Sequence, residues 1–156
     1  MECVMTPLAQ FQVAEVELIY KSKVKASERP RVLTSRDVYE VFKQSWDENK
    51  IDFIEQFKIM LLNRSNRVLA IYEVSTGGIT GTIADPRVIF TAALKANAVS
   101  LALAHNHPSG DIKPSRQDEA LTEKIKCAGN FLEIKVIEHL IISSESYFSF
   151  ADEGLL

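Results

Sequence analysis

Cysteine is scarce in this 156-residue chain: there are two, Cys3 and Cys127, with no short spacing between them. That excludes a disulfide framework and points to a reduced, cytoplasmic protein. A basic excess is also missing, since 18 lysines and arginines face 21 aspartates and glutamates for a net charge of −3. Domains that bind DNA mainly by neutralising phosphates carry a strong positive face, so the balance does not support nucleic acid as the principal partner, although a local basic patch is not excluded. No apolar run approaches the ~20 residues of a bilayer span, the longest lying around Lys58 to Leu62 and Val99 to Ala104. The opening residues, MECVMTPLAQ, lack a basic segment leading into an apolar one, so neither a membrane span nor a secretory leader is expected. Internal repeats and low-complexity tracts are absent too.

What is present is a soluble-globular balance, 46% hydrophobic and 25% charged. At this length a single domain buries roughly two-thirds of its extended surface. Residues 1–30 read as an N-terminal extension: Val13 to Tyr20 alternates like a strand, and a basic connector runs from Lys21 to Arg31. The domain proper then spans 31–156. Thr34 or Ser35 can cap a helix carrying Val38, Val41, Phe42 and Trp46 at helical spacing. Glu55 to Leu62 and Val68 to Val74, joined by a polar loop, read as a hairpin. Asp85 and Pro86 open a helix over Arg87 to Ala98, and Val99 to Ala104 is a strand buried on both faces. A further helix from about Ser115 to Ala128, stopping near Gly129, precedes strands at Glu133 to Ile142 and Tyr147 to Phe150. The order β-α-β-β-α-β-α-β-β predicts an α/β (α+β) protein with a mixed sheet flanked by helices.

Chemistry concentrates in the second half. His105 and His107, two apart in extended chain, aim two imidazoles at one point. The turn-rich segment from Pro108 to Pro114 lets the chain double back, so that Asp118 on the next helix adds a carboxylate oxygen. Two histidines and one carboxylate at about 2.0–2.2 Å leave a fourth tetrahedral position open, the mark of a catalytic zinc site. Zinc, one ion per chain, lowers the pKa of a water towards about 7. Glu73, sharing a strand face with Leu69 and Ile71, is the candidate general base, its carboxyl raised by apolar neighbours. Ser115 is placed to donate to an oxyanion.

These residues also have plainer readings. Ser115 and Asp118 make a helix capping box with or without a metal. Asp111 is a rival ligand or a turn former, Glu73 an exposed strand-end residue, and His139 an ordinary strand residue. Trp46 and the phenylalanines read as core, and Cys127 as a small buried hydrophobe. The glycines after Thr76 lack the Gly-Lys-Ser/Thr of a phosphate loop and read as a turn or substrate-side loop.

The spacing from His105 and His107 to Ser115 and Asp118, with a glutamate on an upstream strand, is similar to the JAMM motif of the JAB/MPN metallopeptidases. The text HNHPSGDIKPSRQDEALT through the terminal EGLL resembles the RadC-type bacterial branch, over roughly residues 30 to 156 and most densely from 85 to 118. The resemblance implies a curved, cytidine-deaminase-like sheet and a zinc hydrolase. It gives His105, His107 and Asp118 to the metal, Glu73 the role of base, and Ser115 that of steadying the intermediate. Relatives of known activity cleave peptide or isopeptide bonds, which makes a peptide or protein the expected substrate. The RadC branch carries a DNA-repair name without a settled reaction. Longer RadC-type proteins have a helix-hairpin-helix-like region that the first 30 residues here are too few to hold. A metal-dependent nuclease and a non-catalytic interaction module stand as the alternatives. A zinc deaminase does not, because its C-x-x-C is missing.

Overall fold

The computed structural model of the protein describes residues 14–17, 19–78 and 81–156. Residues 14–17, 19 and 20 carry no strand, contrary to the alternation seen there, and the rest of that predicted strand lies outside the described residues. Pairing decides strands, and isolated alternation has no ladder to join. A short 3₁₀ turn, Ala26–Glu28, follows in the connector.

Helix α1 (Ser35–Ser45) starts where local chemistry dictates. Thr34 is its cap, accepting from the Asp37 amide while the Asp37 carboxylate accepts from the Thr34 amide. Val38, Tyr39 and Phe42 are its buried stripe. A single-turn helix, α2 (Glu48–Ile51), capped by Asp47, leads to the hairpin of β1 (Gln56–Leu62) and β2 (Val68–Thr76). Asn63 shapes the hairpin loop, its side-chain oxygen accepting from the amides of Ser65 and Arg67. Helix α3 (Pro86–Lys95) follows, capped by Asp85 with proline in its first turn. Then come β3 (Ser100–Asn106), α4 (Arg116–Phe131), β4 (Lys135–Ile142) and β5 (Tyr147–Ser149).

Among the described residues five strands form one mixed sheet in the order β2-β1-β3-β4-β5, with β3 and β4 parallel and the other pairs antiparallel. Alternate residues supply two cores. Phe57, Ile59, Leu61, Leu101 and Leu103 meet Ile89 and Phe90 of α3 and Ile125 of α4 on one face. Met60, Leu62, Ala102, Ala104, Leu140 and Ile142 meet α1 and Trp46 on the other. Because both faces are covered, every residue of β1 and β3 is buried.

Several details differ from the sequence reading. Helix α3 ends at Lys95 rather than Ala98. Helix α4 does not stop at Gly129 but continues to Phe131. Cys127 is exposed, on the outer side of α4, because the helix buries Thr122, Ile125 and Gly129 instead. Trp46, Phe42, Phe57, Phe90 and Phe150 are core as expected, whereas Phe53 and Phe131 lie on the surface.

Candidate metal centre

The site is built where β3 leaves the sheet. The strand runs two residues further than its apolar stretch, through His105 and Asn106, because both side chains find buried partners. Asn106 acts as a rivet: its amide nitrogen donates to the carbonyls of Ile51 and Ile54, and its oxygen accepts from the Gln56 amide at 2.7 Å. His105 lies opposite Phe57 on β1 and stacks on it, with 5.9 Å between ring centroids. His107 is past the strand, yet its amide still donates to Ile142 of β4 at 3.1 Å. Both imidazoles therefore sit on a fixed frame.

Asp118 arrives on the first turn of α4, and its two oxygens have separate tasks. Oδ2 accepts from both the amide and the hydroxyl of Ser115, each at 2.7 Å, while the Asp118 amide donates back to Ser115 Oγ. Oδ1 lies 3.2 Å from His105 Nε2. Capping box and ligand are thus one arrangement. Burial pushes the Asp118 carboxyl up, but in the metal-free site the hydrogen bond and charge of His105 in its protonated form, with the two Ser115 hydrogen bonds, outweigh it and hold the group well below the usual carboxylate range.

One nitrogen, or one carboxylate oxygen, from each of His105, His107 and Asp118 falls within 4.8 Å of the other two. His107 Nδ1 is 2.6 Å from the Asp111 carbonyl, which can only accept, so the ring proton is there and Nε2 carries a lone pair. That Nε2 lies 3.1 Å from His105 Nε2 and 3.8 Å from Asp118 Oδ2. A cation between them satisfies all three residues, and two imidazoles with a carboxylate are a donor set that fits a divalent transition metal. Asp111 contributes its carbonyl and not its carboxylate, which instead accepts from the Lys113 amide.

The cluster opens into a cavity of about 460 Å³ lined by Glu55, Phe57, Thr82, Ser115 and Leu121, besides the three residues themselves. A larger, more apolar cleft of about 610 Å³ lies between β2 and α3 and contains none of them.

Glu73 is not brought to this cavity. Its register partner is Lys58, whose ammonium lies over Trp46 on the α1 face, and its carboxylate accepts from Gln56 and Thr76. Bulges at both ends of the β1–β2 pairing break the period of two. Leu69 therefore packs against the α3/α4 core, while Ile71 and Glu73, opposite Met60 and Lys58, keep a common face on the α1 side, away from the cavity. The glutamate that does reach the cavity is Glu55, two residues before Phe57 and hence on the His105 side. The signal in the sequence is that Glu55, one residue before β1, continues the alternation of Phe57, Ile59 and Leu61 as a charged residue.

His139 is a neighbour of the site, not a ligand. It is fully buried on β4 between Phe57 and Phe150, with its Nε2 2.9 Å from His105 Nδ1. Burial, and then the nearby His105, push its imidazole pKa well down.

A model of the RadC-like JAB domain matches residues 32–155. The chain is 48% identical over 101 residues to a UPF0758 protein of Flavobacterium johnsoniae, covering 65% of this chain and 44% of that one. It is 37% identical over 127 residues to a UPF0758 protein of Chlorobaculum parvum, covering 81% and 55%. The chain thus spans about half the length of the curated relatives it matches. With the match running from the residue before α1's cap region to the C-terminal turn and enclosing the whole cluster, the chain belongs to the RadC-like JAB domain family.

Proposed function

We propose that this domain is a zinc-dependent hydrolase of the JAMM type that cleaves peptide or isopeptide bonds by a metal-activated water. The observation that carries the reading is the convergence of His105, His107 and Asp118 at the edge of a cavity that also holds Glu55. His105, His107 and Asp118 would hold the ion with three protein ligands, the number that catalytic zinc sites use beside a water. When bound, zinc acidifies water and polarises an amide carbonyl.

The protein's own groups divide the remaining work. Glu55, on the cavity wall, takes the role the family resemblance gave to Glu73: it accepts the proton of the attacking water and returns it to the leaving amine. Ser115 keeps Asp118 oriented through its amide and hydroxyl, and, lining the same cavity, can turn its one hydroxyl proton to a developing oxyanion while the amide still holds Asp118. Phe57 stacks on His105 from the sheet side and helps fix its ring. A peptide substrate, rather than a polyphosphate backbone, agrees with the net charge of −3.

The test compares two isosteric variants against a peptide and isopeptide library, with zinc content measured on each preparation. Glu55→Gln is expected to retain stoichiometric zinc and lose hydrolysis by ~100-fold or more, the usual scale of a general base. Glu73→Gln is expected to keep both. Loss of activity in the second variant and not the first would return the role to Glu73, and zinc-free wild-type protein after reconstitution would overturn the metal assignment.

A further inference from the structure

We infer that Thr122 and His139 form a buried hydrogen-bond relay that fixes the tautomer of His105 and turns its Nε2 lone pair towards the metal position. The inference rests on the reading of His105, His107 and Asp118 as a metal centre, and adds positioning residues to it.

The direction of the relay is set at its far end. The Thr122 hydroxyl has a single proton and lies 2.6 Å from the carbonyl oxygen of Asp118, one turn earlier in α4. A carbonyl can only accept, so the proton points there. Thr122 Oγ1 is also 2.6 Å from His139 Nδ1. With its one proton committed, the hydroxyl oxygen is the acceptor in that contact, and Nδ1 of His139 carries the hydrogen. The other nitrogen of a neutral imidazole is then bare, so His139 Nε2 accepts from His105 Nδ1 at 2.9 Å. His105 is left with its proton on Nδ1 and its lone pair on Nε2, the atom 3.2 Å from Asp118 Oδ1.

The opposite order fails at one contact: if Thr122 donated to His139, two oxygens would face each other at 2.6 Å with no proton between them. Burial removes the other escape. Thr122, His139 and His105 are each 2% exposed or less, so no bulk water can substitute for a missing partner. The His139 ring is held by Phe150, stacked at 4.7 Å, and by Phe57 at 5.7 Å. His107 obtains the same tautomer by a single bond to the Asp111 carbonyl. His105, inside the sheet, obtains it through two side chains that end on the backbone of Asp118. The relay therefore ties one ligand's tautomer to the helix that carries another, an outer-shell device of the kind that tunes metal sites.

The experiment reads tautomers and affinity separately. In metal-free protein with ¹⁵N-labelled histidine, at alkaline pH where the rings are neutral, long-range ¹H–¹⁵N correlation is expected to show His105 and His139 both protonated on Nδ1. Thr122→Val keeps the shape and removes the acceptor. It is expected to move the His139 proton to Nε2 and to weaken zinc binding, by chelator competition, by ~10-fold or more, with the far-UV spectrum unchanged. Thr122→Ser is expected to restore both. Nε2 protonation of His105 in the wild type, or a Thr122→Val variant with unaltered tautomers and affinity, would overturn the relay. Wild-type protein that shows both Nδ1 protons yet binds no zinc would overturn the metal reading while supporting the hydrogen-bond order.

Discussion

Asp118 is the residue on which folding and chemistry meet, because one oxygen closes the cap of α4 and the other faces His105. The two tasks are separable by mutation. Ser115→Ala removes the hydroxyl that bonds both the Asp118 amide and its carboxylate, and is expected to cost about 1 kcal/mol of stability, as lost caps do. Asp118→Asn keeps an oxygen for the Ser115 amide but replaces the anionic ligand. It is expected to lose the stability that the lowered carboxyl pKa contributes and to reduce zinc affinity far more than Ser115→Ala does. Denaturant unfolding and chelator competition on the two variants give both numbers, and an Asp118→Asn protein that binds zinc like the wild type would remove this residue from the ligand set.

Helix α4 presents the metal-facing end and, at its other end, a close backbone contact. A Cβ on Gly129 would lie 2.4 Å from the Ile134 carbonyl oxygen and 3.3 Å from the Phe90 ring, so the glycine marks a close approach of the helix to the residue that leads into β4 rather than the helix's end. Gly129→Ala gains about 1 kcal/mol of helix propensity in isolation. The clash is with backbone and cannot relax cheaply, so the variant is expected to be destabilised by about 1–3 kcal/mol, as overpacked cores are; a thermal midpoint at or above that of the wild type would contradict the contact. The same glycine shows what the sequence could and could not say. Caps and periodicity depend on neighbours in the chain, which is why α1, α3, α4 and the hairpin were legible from Thr34, Asp85, Ser115 and the polar loop at Asn63. The His105, His107 and Asp118 cluster was legible for the same reason, being a strand end, a turn and a helix start in succession. Whatever depends on pairing between distant segments was not. The bulges of β2 reverse the side of Glu73, the register of Phe57 against His105 delivers Glu55, and the bulge in the β3–β4 pairing places His139 behind His105.

At the scale of the whole molecule, the C-terminal turn is tied to the sheet by a buried carboxylate. Glu138, 3% exposed on β4, accepts from the Ser149 hydroxyl at 2.8 Å and from the amides of Ala151 and His139. Burial raises its pKa, and the three hydrogen bonds offset this only in part. The sign of the consequence is definite. A carboxyl whose pKa is higher in the folded than in the unfolded chain binds protons more tightly when folded, so its contribution is fully present below the unfolded value and is lost as pH rises through the folded one. Asp118 acts in the opposite sense, since its lowered pKa stabilises the fold above the ordinary carboxylate value and is lost as pH falls. The profile of the wild type alone mixes the two, whereas its difference from Glu138→Gln cancels Asp118 and isolates Glu138. Glutamine retains an oxygen for the two amides, and Ser149 can turn its hydroxyl to accept. With chelator present to exclude metal linkage, the stability of the wild type relative to Glu138→Gln is expected to fall as pH rises from the ordinary glutamate range, by about 1.4 kcal/mol for each unit by which the pKa is raised, and to level off above it. A difference that rises with pH instead would mean that the hydrogen bonds from Ser149, Ala151 and His139 outweigh burial, and that Glu138 holds the C-terminal turn as a stabilised anion.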